Sequence, residues 1–571
     1  MRNGPLRVAL LATLLLLGAL AATAGAASWP TATELSLPTG ASDGWPYLAC
    51  PAQGSCVAAG WYTDASTNAE HPVVASESGG TWGAMTVLQL PAGASSPGYN
   101  DELGGVACGG IGSCAVAGVF ETASGEMPLV ASESGGIWGA GQALVLPDGA
   151  QGGEADAVAC GGATSCAAVG DYTPGAGGPQ AFVANQGGSG AWGAAQPVAP
   201  PTGGSYGTLT AVSCTAPGSC VAVGNYSDAS GATRGMVVGE TGGNWATTAQ
   251  PVSPPADVLP SSANDGMTFG LTSCLQVGDC GGSISCPQTG DCTAVGSYVN
   301  TSDELTPMAA TEANGSWGQA QAVPGLPAGQ GGELGDVSCA APGDCAAVSG
   351  ELTPQTAVAA FQSGGTWGSA QSIGIDPQSV SCQSPGDCTA VGFNFDTSGN
   401  IQPLVTSSSD GAWGAPQEVS PPANAASGTG ANAGNSLQGL SAVSCQSSGC
   451  TALGAYLAAG AAASVWEPMV SSVSFSAHPL TVPVDTARPV ISGRPDHGRT
   501  LGCSTGGWTQ APTAFAYLWS RDGTPLIGAT AHTYRVQQLD EGSRLTCTVT
   551  ASNAAGAGGP ATSAAVSVEV P

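Results

Sequence analysis

The stretch Val212-Ser213-Cys214-Thr215-Ala216-Pro217-Gly218-Ser219-Cys220-Val221-Ala222-Val223-Gly224-Asn225-Tyr226 decides how the chain is read. Pro217 and Gly218 mark a tight turn between two cysteines, and the flanking residues are short, apolar and β-branched, so the stretch predicts two antiparallel strands joined by a hairpin. The pattern V-x-C-x5-C-x-A-V-G-x-Y recurs along the chain. Its leading cysteines are Cys50, Cys108, Cys160, Cys214, Cys286, Cys339, Cys382 and Cys445, and their partners are Cys56, Cys114, Cys166, Cys220, Cys292, Cys345, Cys388 and Cys450. That makes eight units, spaced mostly 43 to 63 residues apart, with one spacing of 72 where an extra pair, Cys274 and Cys280, is inserted. Self-similarity at such a period is the mark of a repeat architecture.

Outward from the hairpin, each unit continues in the same way. After Tyr226 a polar turn over 227–231 leads to a third strand over 236–239, and a Gly-rich turn over 241–243 leads to Trp245 and a fourth. Four-stranded units of this length have the size of β-propeller blades. The glycine four residues after the second cysteine (Gly60, Gly118, Gly170, Gly224, Gly296, Gly392, Gly454) is read as allowing neighbouring sheets to pack closely. Seven units carry a turn tryptophan (Trp82, Trp138, Trp192, Trp245, Trp317, Trp367, Trp413), whereas the eighth runs out over 465–475 without one. The missing piece stands at the other end, where 29–38 matches 192–200, so the N-terminal segment is expected to supply the fourth strand of the last unit. The expected fold is all-β: an eight-bladed β-propeller closed by the N-terminal strand, with seven blades as the alternative if one weak unit is not a blade. Each C-x5-C pair is expected to close its own hairpin, worth roughly 2 kcal/mol in the chain-entropy model. Zinc and redox sites favour shorter spacings, so neither chemistry fits these pairs.

Composition bounds the function. The 571 residues (55.1 kDa) include Gly 89, Pro 41, Cys 20 and Trp 13, and 42% are hydrophobic, which describes a folded, turn-rich chain. Thirty-nine acids face nine bases, all arginine, for a net charge of -30. Such a balance excludes a nucleic-acid backbone and an anionic membrane surface as partners. Arg2 and Arg7, the apolar run over 8–22 and the small residues Ala24, Gly25 and Ala26 read as a signal peptide, 1–27, so the mature protein is expected to be exported. An even number of cysteines in an exported chain fits disulfides.

The turn Ser76-Glu77-Ser78-Gly79-Gly80-Thr81-Trp82 resembles the Asp-box of sialidase-like propellers, although the aspartate of that box is missing and only Asp410 keeps an acid near it. The whole chain resembles the secreted Cys-hairpin repeat proteins of actinobacteria, which implies a propeller over 28–475 outside the cell. A proline-marked linker, 476–488, follows. In 489–571, Cys503, Trp519 and the run Asp540, Gly542, Leu545, Cys547 resemble bacterial Ig-like modules. The resemblance implies a β-sandwich with Cys503 bonded to Cys547, Trp519 packed on the disulfide, and a role as a spacer or stalk.

Charge separates the two parts. Residues 485–571 hold six acids and six arginines, whereas the propeller holds 33 acids against Arg234 alone. Sialidase-like enzymes hold the substrate carboxylate with three arginines, so the Asp-box resemblance does not extend to that activity. By propeller topology 21 of the acids fall on one face and nine on the other, and Asp101, Glu102, Glu154, Asp156, Glu333, Asp336 and Asp376 are expected to rim the channel mouth. No unit stands out by a constellation of its own. The expected function is that of a secreted, non-enzymatic binding or adhesion protein, presenting an acidic propeller face to an extracellular glycan, peptide or cell-envelope ligand. The alternative is a glycoside hydrolase acting on neutral polysaccharide through two carboxylates. No cofactor is expected apart from a calcium ion held by such loops. The protein is expected to be monomeric, outside the cell or on its wall, and not inserted in a membrane.

Overall fold

The computed structural model describes residues 28–571 except 97, 189, 260–266, 270–283, 326–331, 350–356, 398–399, 427–438, 460–465, 476–481, 509–511, 513, 554–555 and 570–571. The expected signal peptide and the Cys274–Cys280 pair lie outside the described residues.

The hairpins form as the repeat predicts. In the third unit, Ala150–Gly162 runs antiparallel to Ser165–Pro174 with Cys160 directly opposite Cys166. A disulfide closes the hairpin in each of the eight units, with Cα atoms 3.9 to 4.1 Å apart. The third strand, Gln180–Asn185, continues the sheet and Gln196–Pro197 ends it. Where the tryptophan is paired, the fourth strand is broken in two. In the first unit Thr81–Trp82 pairs with Glu77 and Ser78, Thr86–Val87 pairs with Val73 and Val74, and between them the Gly83 N–H reaches the Ser76 carbonyl at 3.1 Å.

The eight inner strands touch one another in sequence order, and that of the eighth unit, Gly439–Gln446, touches that of the first, Ala41–Ala52. The N-terminal segment closes this ring as expected: Thr33–Glu34 pairs with Trp466–Ser474 through Thr33 to Val470 and Glu34 to Met469. Between neighbouring sheets lie small apolar side chains, such as Val169, Ala181 and Val183 of the third unit against Leu209, Ala222 and Met236 of the fourth. Leu35, Leu453 and Val470 meet Ala58, Tyr62 and Val73 across the seam between the eighth and first units. Side chains this small let the sheets approach closely while still burying a continuous core. The result is an all-β, propeller-like ring.

The repeated glycine has a different cause from the one the sequence suggested. A Cβ at Gly118, Gly170, Gly224, Gly296, Gly392 or Gly454 would stand 1.9 to 2.1 Å from an inner-strand carbonyl oxygen of the same unit. The close approach is therefore within each hairpin, between strands one and two. It coincides with a β-bulge of the inner strand just beyond, for example between Leu103 and Gly105, or Leu209 and Ala211. In the fifth unit this is where residues 270–283 are inserted, between Met267–Phe269 and Ile284–Gln288, which both pair with Asp291–Val299.

Beyond the ring, Ile491–Ser492, Thr500–Cys503 and Thr533–Arg535 form one sheet. Ala514–Arg521 and Arg544–Asn553 form the centre of a larger one. Cys503 bonds Cys547 between these sheets, and Trp519 is fully buried in the same core cluster. Asp540, also fully buried, accepts from the Tyr534 hydroxyl at 2.9 Å and from the Arg521 Nε at 2.6 Å.

Candidate functional site

Glu102, Glu154, Glu333 and Asp376 occupy one repeat position. Each directly precedes the inner-strand residue that faces the close-approach glycine or its replacement, in the pairs Leu103 to Gly118, Ala155 to Gly170, Leu334 to Ser349 and Pro377 to Gly392. Glu102, Glu333 and Asp376 are only 6%, 5% and 4% exposed, and Asp101 is 1% exposed. The expected rim of solvent-facing carboxylates is thus mostly folded inward.

Two of the seven stitch backbone. Asp336 accepts from the N–H groups of Val337 and Val380, both at 2.8 Å, and so ties the inner strand of the sixth unit to that of the seventh. Burial still outweighs these bonds and pushes its carboxyl up to about 6. Asp101 accepts from the Glu121 N–H at 2.8 Å, and burial raises its proton affinity, with the nearby His71 acting in the opposite sense. Beside it the Glu70 carboxyl is hydrogen-bonded to that of Glu102, and burial holds Glu70 above the usual range.

The third unit also brings carboxyls together, here across one hairpin. Glu154 stands directly opposite Asp171 in the hairpin ladder, whereas its counterpart Glu102 faces Val119 and Asp376 faces Phe393. Directly opposed residues have Cβ atoms about 4.5–5.5 Å apart, close enough for each carboxyl to feel the other's charge. Asp156 occupies the bulge two residues on, and Glu126 of the second unit lies near enough to add its charge. Burial, then the charge of Glu154, pushes Asp171 up to about 7. Asp156 is raised well above the usual carboxylate range by burial and by both neighbours, and Glu154 is raised by burial and by Glu126. The ring's arginine is not among them: Arg234 pairs with Asp228 at 3.1 Å. Carboxyls crowded without a cation keep protons near neutral pH. This constellation escaped the sequence because Asp171 follows the glycine, in strand two, and only the hairpin register places it opposite Glu154.

Two further devices were not anticipated. The serine before the leading cysteine accepts from the cysteine N–H of the next unit: Ser213 from Cys286, Ser285 from Cys339, Ser338 from Cys382 and Ser381 from Cys445, at 2.9 to 3.2 Å. The turn tryptophan and the glutamate five residues before it grip the preceding unit. Trp138 donates to Ser76, which donates to Glu133, and Trp245 donates to Asn185, whose Nδ2 donates to Glu240 at 2.6 Å. Glu133 and Glu240, both assigned to the opposite face, are therefore joints between units. Among the described residues no three His, Cys, Asp or Glu side chains are gathered as a metal ion would need.

No family model matches the chain, and no curated protein is detectably similar. Among solved structures it is similar to the Hadza microbial sialidase Hz136, at 12% identity and TM-score 0.33, covering 66% of this chain and 65% of that one. It is also similar to YCF48 from Cyanidioschyzon merolae (13% identity, TM-score 0.34, 63% of this chain and 95% of that one). The Trypanosoma rangeli sialidase is a third (12% identity, TM-score 0.32, 92% and 88%). The chain thus spans 65% of the length of the first of these. Likeness at this level carries no argument about activity, and the functional expectation is not borne out by it. The structures found include sialidases and neuraminidase-like proteins, and they support neither a non-enzymatic adhesion protein nor a hydrolase of neutral polysaccharide. Of the seven carboxylates expected to rim the channel mouth, Asp101, Glu102, Glu333 and Asp376 are buried and Asp336 is bonded to backbone.

Proposed function

We propose that the chain is an exported protein whose eight sheets are the blades of a closed eight-bladed propeller, followed by an Ig-like sandwich from Pro489 onward, and that its chemistry lies in the carboxyl cluster of the second and third units. The disulfides support an extracellular setting. The observation that carries the reading is the opposed pair Glu154 and Asp171, with Asp156 in the adjoining bulge. Two carboxyls that share a proton supply an acid and a base side by side. In the charged form one accepts a proton from water as the water oxygen attacks a carbonyl carbon. In the protonated form the other donates its proton to the carbonyl oxygen. The resulting tetrahedral centre collapses to a carboxylic acid and an alcohol or amine. Crowded carboxyls repel anions, so the substrate is an uncharged ester or amide. No cofactor takes part.

The test is turnover of chromogenic ester and amide substrates by the full chain from pH 4 to 8. Activity is expected to fall as the pH rises through the titration of Asp171, pushed up to about 7. Asp171→Asn and Glu154→Gln should each lower kcat by ~100-fold or more while leaving the Tm unchanged or higher. Absence of turnover across the range, or variants as active as the parent, would overturn the reading.

A further inference from the structure

The first strand of each unit is the edge strand of its sheet, and the eight first strands adjoin one another around the middle of the ring. An edge strand turns every second N–H away from its ladder partner. In the later units, side chains cap these groups. At the joint of the sixth and seventh units one carboxylate bridges two strands: the N–H groups of Val337 and Val380 donate to the two oxygens of Asp336, both at 2.8 Å. At the next joint the Val443 N–H donates to the Ser379 hydroxyl at 3.4 Å. Two residues further along the strand, the Cys382 N–H donates to the Ser338 hydroxyl at 2.9 Å.

The third and fourth units repeat this backbone without the caps. Val158 and Val212 face Ala168 and Ala222 in their hairpins, as Val337 and Val380 face Ala347 and Ala390, and the same bulge precedes each of the four. The two N–H groups are therefore aimed as those of Val337 and Val380 are. Where the sixth unit has Asp336 the third has Ala157, and where the sixth has Ser338 the third has Ala159. Among the described residues no side chain accepts from the N–H of Val158 or Val212. The pair adjoins the carboxyl cluster, because Asp156 occupies the bulge directly before Ala157.

We infer that the N–H groups of Val158 and Val212 form a cradle for the ester group of an uncharged substrate, and that the cradle selects esters over amides. Asp336 shows what such a pair of donors takes, two oxygens on one planar carbon. In an ester the carbonyl and alkoxy oxygens stand in the same relation, and both accept. In an amide the second atom is a nitrogen with no accepting lone pair, so one N–H of the pair faces a group that cannot accept from it. A free carboxylate is kept out by the charge of the neighbouring carboxyls. An ester held this way has its carbonyl polarised by the N–H groups, which stabilise the oxygen as negative charge builds on it during attack. The catalytic role of the cradle rests on the reaction read from Glu154 and Asp171, whereas its binding does not.

The experiment follows the amide signals of Val158 and Val212 by nuclear magnetic resonance, in the full chain labelled with nitrogen-15 at valine. The probes are methyl benzoate and N-methylbenzamide, added at pH 8, where turnover is expected to be low. The ester should shift both signals saturably, and the amide should bind about tenfold more weakly or worse. Ala157→Ser, which supplies the hydroxyl that Ser379 supplies elsewhere, should weaken ester binding by a similar factor and leave the Tm unchanged or higher. Ala442→Ser, the same change at the joint of the eighth and first units, should leave binding as it is. The inference is overturned if neither signal shifts with millimolar ester, if the amide binds as tightly, or if Ala157→Ser leaves the affinity unchanged. Ester turnover without these shifts sinks the cradle and spares the carboxyl pair, whereas saturable shifts without turnover at any pH support the cradle and sink the reaction.

Discussion

At the scale of the residue, the recurring glycine is the most sharply determined position in the repeat. Gly224 lies where a Cβ would be 1.9 Å from the Thr208 carbonyl oxygen and 2.7 Å from the Leu209 Cα, both backbone atoms that have nowhere to move. Gly239, in the next strand of the same unit, has nothing within 4 Å of its Cβ direction. Gly224→Ala should therefore cost about 1–3 kcal/mol through overpacking, whereas Gly239→Ala should be close to neutral. Chemical denaturation of the two variants side by side checks this, and equal losses would show that the contact is not what selects glycine. The position itself was legible in the sequence, from its fixed offset after the second cysteine. Its reason was not. A repeat reveals that a residue type is needed, but the bulge that drives the inner strand onto it depends on hairpin register. The burial of Asp101, Glu102, Glu333 and Asp376 was not legible for the same cause. Glu102 and Asp376 stand next to bulges, so a count of residues along the turn does not give the direction of their side chains.

At the scale of the element, the two-residue strand Thr33–Glu34 does more than its length suggests. It covers the outer edge of Trp466–Ser474. It also carries Ala32 and Leu35, both buried, into the cores on either side of the eighth sheet. Further bonds run from Glu34 to the Tyr456 hydroxyl at 2.9 Å and to Asn424 Nδ2 at 2.7 Å. Its docking was legible because the eighth unit visibly lacked a tryptophan segment that the N-terminus visibly had. Deleting 28–38 should leave a bare strand edge and an open apolar groove. Loss of Leu35 alone is worth about 2–5 kcal/mol, and the exposed edge favours pairing between chains. The expected result is a lower Tm together with dimers or larger species in light scattering. A monomer with the parent Tm would mean that the strand is not the closure. The serine ladder was harder to see, because its bonds join neighbouring units. Four serines before leading cysteines give no hint of a partner 44 to 73 residues away.

At the scale of the whole molecule, an acidic, lysine-free chain does not behave as a simple polyanion. Burial raises the carboxyls of Glu70, Glu77, Asp101, Glu154, Asp156, Glu240, Glu312 and Glu467, and pushes Asp336 up to about 6 and Asp171 up to about 7. Among the described residues only Asp64 and Asp228 move clearly the other way, lowered chiefly by hydrogen bonds from neighbouring serines in exposed turns. For a carboxyl raised in the folded state, the folded chain holds more protons than the unfolded chain between the two titrations. Stability must then decrease as the pH rises through that window and recover as the pH falls. These groups lie in the joints between units as well as in the cluster, so the whole ring should tighten in acid. Self-repulsion of a net charge of -30 acts in the same direction, but salt screens it at exposed sites far more than at buried ones. The Tm should accordingly rise as the pH is lowered from 8 towards 5, and most of the rise should persist in 0.5 M salt. Asp171→Asn should flatten the part of the curve near pH 7, because that position then has no proton to lose. A Tm that is flat or falls on acidification, or a slope abolished by salt, would mean that the buried carboxyls do not hold their protons and that surface charge alone governs the ring.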